Sequence, residues 1–280
     1  MTTHAAARAA AHLAIALCLW PAAAHAGDPE EAIRLSSGRS CFRCDLRYES
    51  AIGAELSQID LRGAYMYNIN LYGARLVGTQ MNSSNLQMAN LERADMTRAR
   101  LDSAMVSSAN LQGATMIHAS LQQVTASDTN FNAADLSDAD LTTADLRRSS
   151  FVNAFAENAI FKSADLEQAN MRAARMRGAQ FVDANLSGAI LIGAWLHRAN
   201  FRKAQLSGAN LSEARLAYSN LSGAMLSGAN LQHADLTGAN LSNTDLSNAD
   251  LTGAEMGSVV LEGAKTCGMV VPDGTRANPC

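Results

Sequence analysis

The sequence predicts an all-β solenoid, a four-sided parallel β-helix of about eleven coils, and three observations carry that prediction. The first is a period. From Leu46 to Leu261 an apolar side chain returns at every fifth residue without a slip, on units such as Ala-Asn-Leu-Gln-Gly (109–113) and Ala-Asp-Leu-Thr-Gly (234–238). Only Ala51, Ala126 and Ala156 in this register are not Leu, Met, Phe or Val. Five residues match neither the helical turn nor the alternation of a flat strand, so each unit forms one side of a coil and points one large side chain inward. The second observation is a recurrence at twenty. Phe161, Phe181 and Phe201 are twenty apart, as are Phe131 and Phe151, and Asn70, Asn90, Asn110, Asn130, Asn170, Asn210 and Asn230 share one column. Stacked rings and laddered amides fit a twenty-residue coil, hence four sides. The third is a small residue two before each centre: positions 89, 94, 99, 104, 109, 114 and 119 are all Ala.

These units fill a slim interior with one large and one small side chain per side. At ~4.8 Å per coil the rod is roughly 50 Å long. Where the centre shrinks to Ala126, the preceding inward residue grows to Val124, which conserves volume. Ala156 has no such compensation in its own unit, and the flexible Met176 lies one coil away. Leu141 represents the ordinary centre, for which a charge in place of the side chain is expected to be severely destabilising.

The unit, Ala then Asp or Asn then Leu then two variable residues, resembles the pentapeptide repeat family over residues 41–265. The resemblance implies a right-handed helix with one pentapeptide per side; the spacing does not give the hand.

The N-terminal elements follow in order. Arg8, the apolar run from Leu13 to Trp20, Pro21 and the small-residue site Ala24-His25-Ala26 read as a secretory signal peptide over residues 1–26, cleaved before Gly27. The apolar run is short for a membrane span, so none is expected in the mature form. Leu17 before Cys18 does not match the small residue of a lipidation site. In the next segment, 27–40, Asp28-Pro29-Glu30-Glu31 supplies a helix cap, a first-turn proline and first-turn acids, with Gly38 beyond the end. A short capping helix is expected there, with Ile33 and Leu35 covering the first coil.

Export places the remaining cysteines in an oxidising compartment. Cys41, Cys44, Cys267 and Cys280 flank the repeat and read as two disulfides, with three pairings open. Exported members of the family look similar at both ends, and that resemblance implies Cys41–Cys44 with Cys267–Cys280, the latter closing a C-terminal cap over 266–280 around Pro272-Asp273-Gly274. A redox site at Cys41/Cys44 is the alternative, but no βαβ sheet or helix N-terminus is expected beside it. Asp45 stands where haem attachment needs His, and no second ligand pair supports zinc.

A formal net charge of −4 does not indicate nucleic-acid binding, which needs a basic face. His118, His197 and His233 all fall on outward positions several coils or sides apart. Asp135, Asp140 and Asp145 occupy the repeat position before the centre, where short polar side chains bond the backbone. No catalytic constellation, metal site or cofactor is expected.

Function is therefore sought on the outer surface, where the small polar pattern breaks. Val152, Phe155, Ile160, Val182, Ile190, Ile192 and Trp195 are outward and apolar. On a four-sided coil Phe155, Arg175, Trp195 and Arg215 share one column, with Arg177 and Arg198 expected on the same face. Trp, Phe and Arg are the residue types that concentrate in binding hot spots, and Tyr65, Tyr67 and Tyr72 form a weaker second surface. The expectation is a non-enzymatic exported scaffold that binds a protein or an envelope component; a homodimer is compatible with it. The resemblance also implies an alternative, a DNA-mimicking inhibitor like the gyrase-protecting quinolone-resistance members. That role calls for a cytoplasmic protein with a continuous acidic surface, whereas Arg75, Arg98, Arg175, Arg177, Arg198 and Arg215 interrupt the acids here.

Overall fold

Each five-residue unit makes one tight turn and one bridge, and the unit around Leu141 shows how. The Ala144 amide donates to the Leu141 carbonyl at 3.1 Å, closing a turn whose second central residue, Thr143, has a φ of 57°. Asp145 then runs extended and forms parallel bridges to Thr125 below and Asp165 above. Between coils, the amides of Leu141 and Thr143 donate to the carbonyls of Ile160 and Lys162, and the Asp145 amide donates back to Val124. Backbone groups are thus satisfied from coil to coil, without long strands.

The computed structural model describes Leu35 and residues 39–277. Every parallel bridge joins residues twenty apart, in four ladders running from Asp45↔Tyr65 to Asp250↔Val270, so the chain is a four-sided β-helix solenoid. The turn repeats in phase: the second residue after each centre has positive φ at every unit from Arg43 to Gly268. A positive φ only at the third residue of a four-residue turn is the type II signature, which favours Gly. Many units nevertheless place a side chain there, and an L-residue in that conformation costs roughly 1–2 kcal/mol. Ala133, with φ of 55° on an exposed corner, isolates the effect. Ala133→Gly is expected to stabilise by about 1 kcal/mol, readable as a raised thermal midpoint; a lowered midpoint would show that the corner is unstrained.

The interior is continuous. Phe161, Phe181 and Phe201 stack with centroids 4.9 and 4.7 Å apart, and Phe131 stacks on Phe151 at 4.8 Å, all with nearly parallel planes. The two stacks rise from opposite sides, and Phe151 meets Phe161 edge-to-face across the interior at 6.1 Å. Ala156 lies on the side between those two rings and is fully buried, as is Met176 one coil away. Thr79 and Thr129, which replace the small inward Ala, donate their hydroxyls to the Leu56 and Val106 carbonyls, which removes the cost of burying them.

The ends depart from the periodic expectation. Leu261, expected inward, is 37% exposed, and Met256 is only half-buried. No further coil is described above them, because the chain reverses at 271–276, where Val270 pairs antiparallel with Arg276. The ladder also continues past 265 to Val270; Thr266 in the centre register hid that last side from the apolar period. At the start Ala51 is half-buried, while Cys41 and Cys44 occupy the inward Leu and Ala registers, buried and joined as a disulfide. Of the expected capping helix only Leu35 is described, helical and packed on the core; the rest, with the signal peptide, lies outside the described residues. Cys267 is disulfide-bonded, and Cys280, its expected partner, also lies outside them.

Candidate functional site

The polar residues of the consensus are consumed by the scaffold. In unit after unit the Asp or Asn before the centre accepts the backbone N–H two residues on: Asp135 from Ser137 at 3.0 Å, Asp140 from Thr142 at 2.9 Å, Asn210 from Ser212 at 3.1 Å. Where Asp stands before the centre and Arg after it, the carboxylate also takes the guanidinium: Arg47–Asp45 at 2.6 Å, Arg62–Asp60 at 2.8 Å and Arg147–Asp145 at 2.7 Å. Hydrogen bonds from these arginines hold the Asp45, Asp60 and Asp145 carboxyls below the usual carboxylate range.

The histidines are separated. His118 faces Asp138 at 4.0 Å, His197 meets the Tyr218 ring edge-on at 5.5 Å, and His233 lies beneath Gly253. The Cys41 and Cys44 sulfurs belong to buried residues, away from the accessible thiolate that redox chemistry uses.

The expected column forms. Phe155↔Arg175, Arg175↔Trp195 and Trp195↔Arg215 are consecutive bridges of one ladder. The Arg175 guanidinium carbon lies 5.0 Å from the ring centroids of both Phe155 and Trp195, and that of Arg215 lies 4.4 Å from Trp195. Ring, cation, ring and cation therefore alternate along the rod, each contact contributing roughly 0.5–1 kcal/mol when exposed. Phe155 and Trp195 remain 38% and 42% exposed.

Beside this stack runs a shallow cleft of about 480 Å³ lined by Glu157, Arg175, Arg177, Trp195, His197, Arg215 and Asp235. The sequence missed Glu157, His197 and Asp235 as neighbours of the column, although the twenty-residue period places 157, 177 and 197 in one row. Arg198 does not line the cleft. It stands at the turn position one residue past His197, with φ of 58°. The other apolar outward residues are not brought in either: Val152, Ile190 and Ile192 fall on one flanking side, Ile160 and Val182 on the other. Of the second surface, Tyr67 packs edge-on against Tyr48 at 5.6 Å, and the Tyr72 hydroxyl accepts from Arg93 at 3.1 Å. Tyr65 is exposed on the first coils.

Among the described residues no carboxylate pairs with Arg175, Arg177 or Arg215, although Glu157 and Asp235 line the same cleft. No helix among them is long and apolar enough to cross a membrane.

A family model matches the repeat over most of the chain. The family model described as pentapeptide repeats matches in eight copies, in segments running from residues 40–78 to 229–265. No curated protein matches the chain. Among solved structures, HetL, a pentapeptide repeat protein involved in heterocyst differentiation regulation from the cyanobacterium Nostoc sp. strain PCC 7120, is similar at 25% identity over 90% of this chain and 100% of that one, with a TM-score of 0.46. QnrB1, a plasmid-mediated fluoroquinolone resistance protein, is similar at 22% identity over 65% of this chain and 88% of that one, with a TM-score of 0.40. A pentapeptide repeat protein of the Arabidopsis thaliana thylakoid lumen is 23% identical over 40% and 74%, with a TM-score of 0.29.

Proposed function

The chain belongs to the pentapeptide repeat family, and from that premise we propose that it is a non-enzymatic, exported interaction module that binds a protein or another envelope component through the side bearing Phe155, Arg175, Trp195 and Arg215. The observation that carries the reading is the exposed alternation of two rings and two cations in one column beside a cleft. Aromatic and Arg side chains held rigid by one another lose little freedom on binding, which favours them as anchors. The DNA-mimic alternative fits less well, since the ladder that carries Glu55, Asp95, Asp135 and Asp235 is interrupted by Arg75, Arg175 and Arg215.

The test is affinity capture from envelope extracts with a Phe155→Ser, Trp195→Ser double variant as control. The variant removes three ring–cation contacts, together about 1.5–3 kcal/mol, so its melt is expected to fall by several degrees while it stays folded at the assay temperature, and it is expected to lose a partner that wild type retains. Unfolding of the variant would make the stack structural; a stable variant that keeps every captured partner would place binding elsewhere.

Export after Ala26 and pairing of Cys267 with Cys280 belong to the same proposal, and the signal-peptide pattern and the end-flanking cysteines support them. Mass spectrometry of the purified protein is expected to find Gly27 at the N-terminus and no free thiol. An intact, reduced chain in the cytoplasm would refute export and return weight to the DNA-mimic reading.

A further inference from the structure

We propose that the cleft beside Trp195 takes an acidic, extended segment of a partner protein, with carboxylates three residues apart in polyproline II conformation. This rests on the reading of that side as the binding surface and adds the chemistry of what binds there.

The argument begins with a substitution inside the repeat. At Arg47, Arg62 and Arg147 the residue after the centre is an arginine, and the carboxylate two positions before it on the same side closes an ion pair at 2.6–2.8 Å. At Arg177 the corresponding position is Arg175. The site that an Asp fills elsewhere is thus replaced by a second cation, and neither arginine has an ion-pair partner among the described residues. At Arg172 and Arg202 that position holds a neutral Asn; only at Arg177 does it hold a second cation, and a carboxylate from outside supplies there what the fold itself supplies at Arg47, Arg62 and Arg147.

The cations are also held in place. Arg175 is clamped between two rings and Arg215 lies over the far face of Trp195. Both Trp faces are therefore covered by cations, and a guanidinium laid over a ring keeps its in-plane N–H donors free for a forked contact with a carboxylate. The side offers donors at two fixed heights.

Their spacing selects the conformation. Arg175 and Arg215 are two coils apart, about 9.6 Å at ~4.8 Å per coil. Polyproline II repeats every three residues in about 9.3 Å, so carboxylates at i and i+3 meet both arginines from one face. Same-face positions in a β-strand recur at ~6.6 Å, and those of a helix at ~5.4 Å and, two turns on, at ~10.8 Å; polyproline II matches the separation more closely than either.

The acids at the two ends set the length and the class of partner. Glu157 and Asp235 line the cleft, and Asp135 precedes Phe155 in the ladder. A nucleic-acid backbone with continuous charge would run onto these carboxylates, whereas a short segment with discrete charges ends before them.

The experiment is calorimetric titration of the full chain with the peptide acetyl-Glu-Pro-Pro-Glu-Pro-Pro-Glu-amide. Saturable binding is expected, weakened at least tenfold when Gln replaces every Glu, when Gly replaces every Pro, or when Arg175→Gln or Arg215→Gln is introduced. Arg147→Gln, whose arginine already holds an internal partner, is expected to change nothing. Thermal melting verifies that each variant is folded, and Arg215→Lys keeps the charge without the fork and is expected to weaken binding as well. Equal binding of the Gln peptide, indifference to both cleft arginines, or tighter arginine-dependent binding of an oligothymidylate would overturn the proposal. If the peptide fails while the Phe155→Ser, Trp195→Ser variant still releases a captured partner, the acidic-segment inference falls and the binding side stands. Arginine-dependent peptide binding with no partner lost by that variant would support the inference and remove the captured-partner reading.

Discussion

Leu141→Asp is expected to cost more than about 4 kcal/mol, enough to unfold at least the coils around it. Leu141 is fully buried, and its column neighbours twenty residues away are Leu121 and Phe161, which offer no counter-charge and no hydrogen-bond donor. Burying a carboxylate there without a partner adds a desolvation cost to the lost packing of the Leu side chain. Each coil touches only its neighbours, so damage in the middle of the rod separates two partly independent halves rather than spreading evenly. Circular dichroism is expected to show a lowered and broadened melt, and limited proteolysis a new cut near 141 with protected fragments on both sides. Leu141→Met, of similar volume, should cost under about 1.5 kcal/mol. A melt for Leu141→Asp within a few degrees of wild type would mean that the register is not inward.

Phe181→Ala is the second large effect, about 3–5 kcal/mol. Phe181 sits between Phe161 and Phe201, with ring contacts on both faces, so its loss leaves a cavity that rigid coils above and below cannot close. Phe201→Ala, at the end of the stack and next to Leu221 in the column, removes one ring contact instead of two and should cost less. Denaturant unfolding of the two variants measures the difference; equal losses would show that stacking adds nothing beyond buried area.

Much of the site was legible because the coil length never changes. With no insertion between Leu46 and Leu251, positions twenty apart must meet, and the column of Phe155, Arg175, Trp195 and Arg215 follows from counting. The row of Glu157, Arg177 and His197 obeys the same count, but its members look like ordinary variable positions until their distance to the column is seen. Arg198 stands apart from that row: it is two residues beyond its centre, where the backbone turns the corner through positive φ, and it does not line the cleft.

The sequence by itself determined the side of the rod on which every large residue lies, since an inward register is a local, periodic property fixed by burial of one side chain in five. It determined the stacking partners of the phenylalanines for the same reason. Only the folded coil brings Phe151 and Phe161, on the two sides that flank Ala156, edge-to-face across the interior, because contact between sides is not a periodic relation. The tertiary structure likewise decided that the carboxylates nearest the cleft arginines stay apart from them: Asp235 bridges Arg215 in the ladder and Glu157 lines the same cleft, yet among the described residues neither closes an ion pair with Arg175, Arg177 or Arg215. And it decided the ends, where Leu261 carries the same register as Leu241 yet stays exposed, because no coil among the described residues stacks above it.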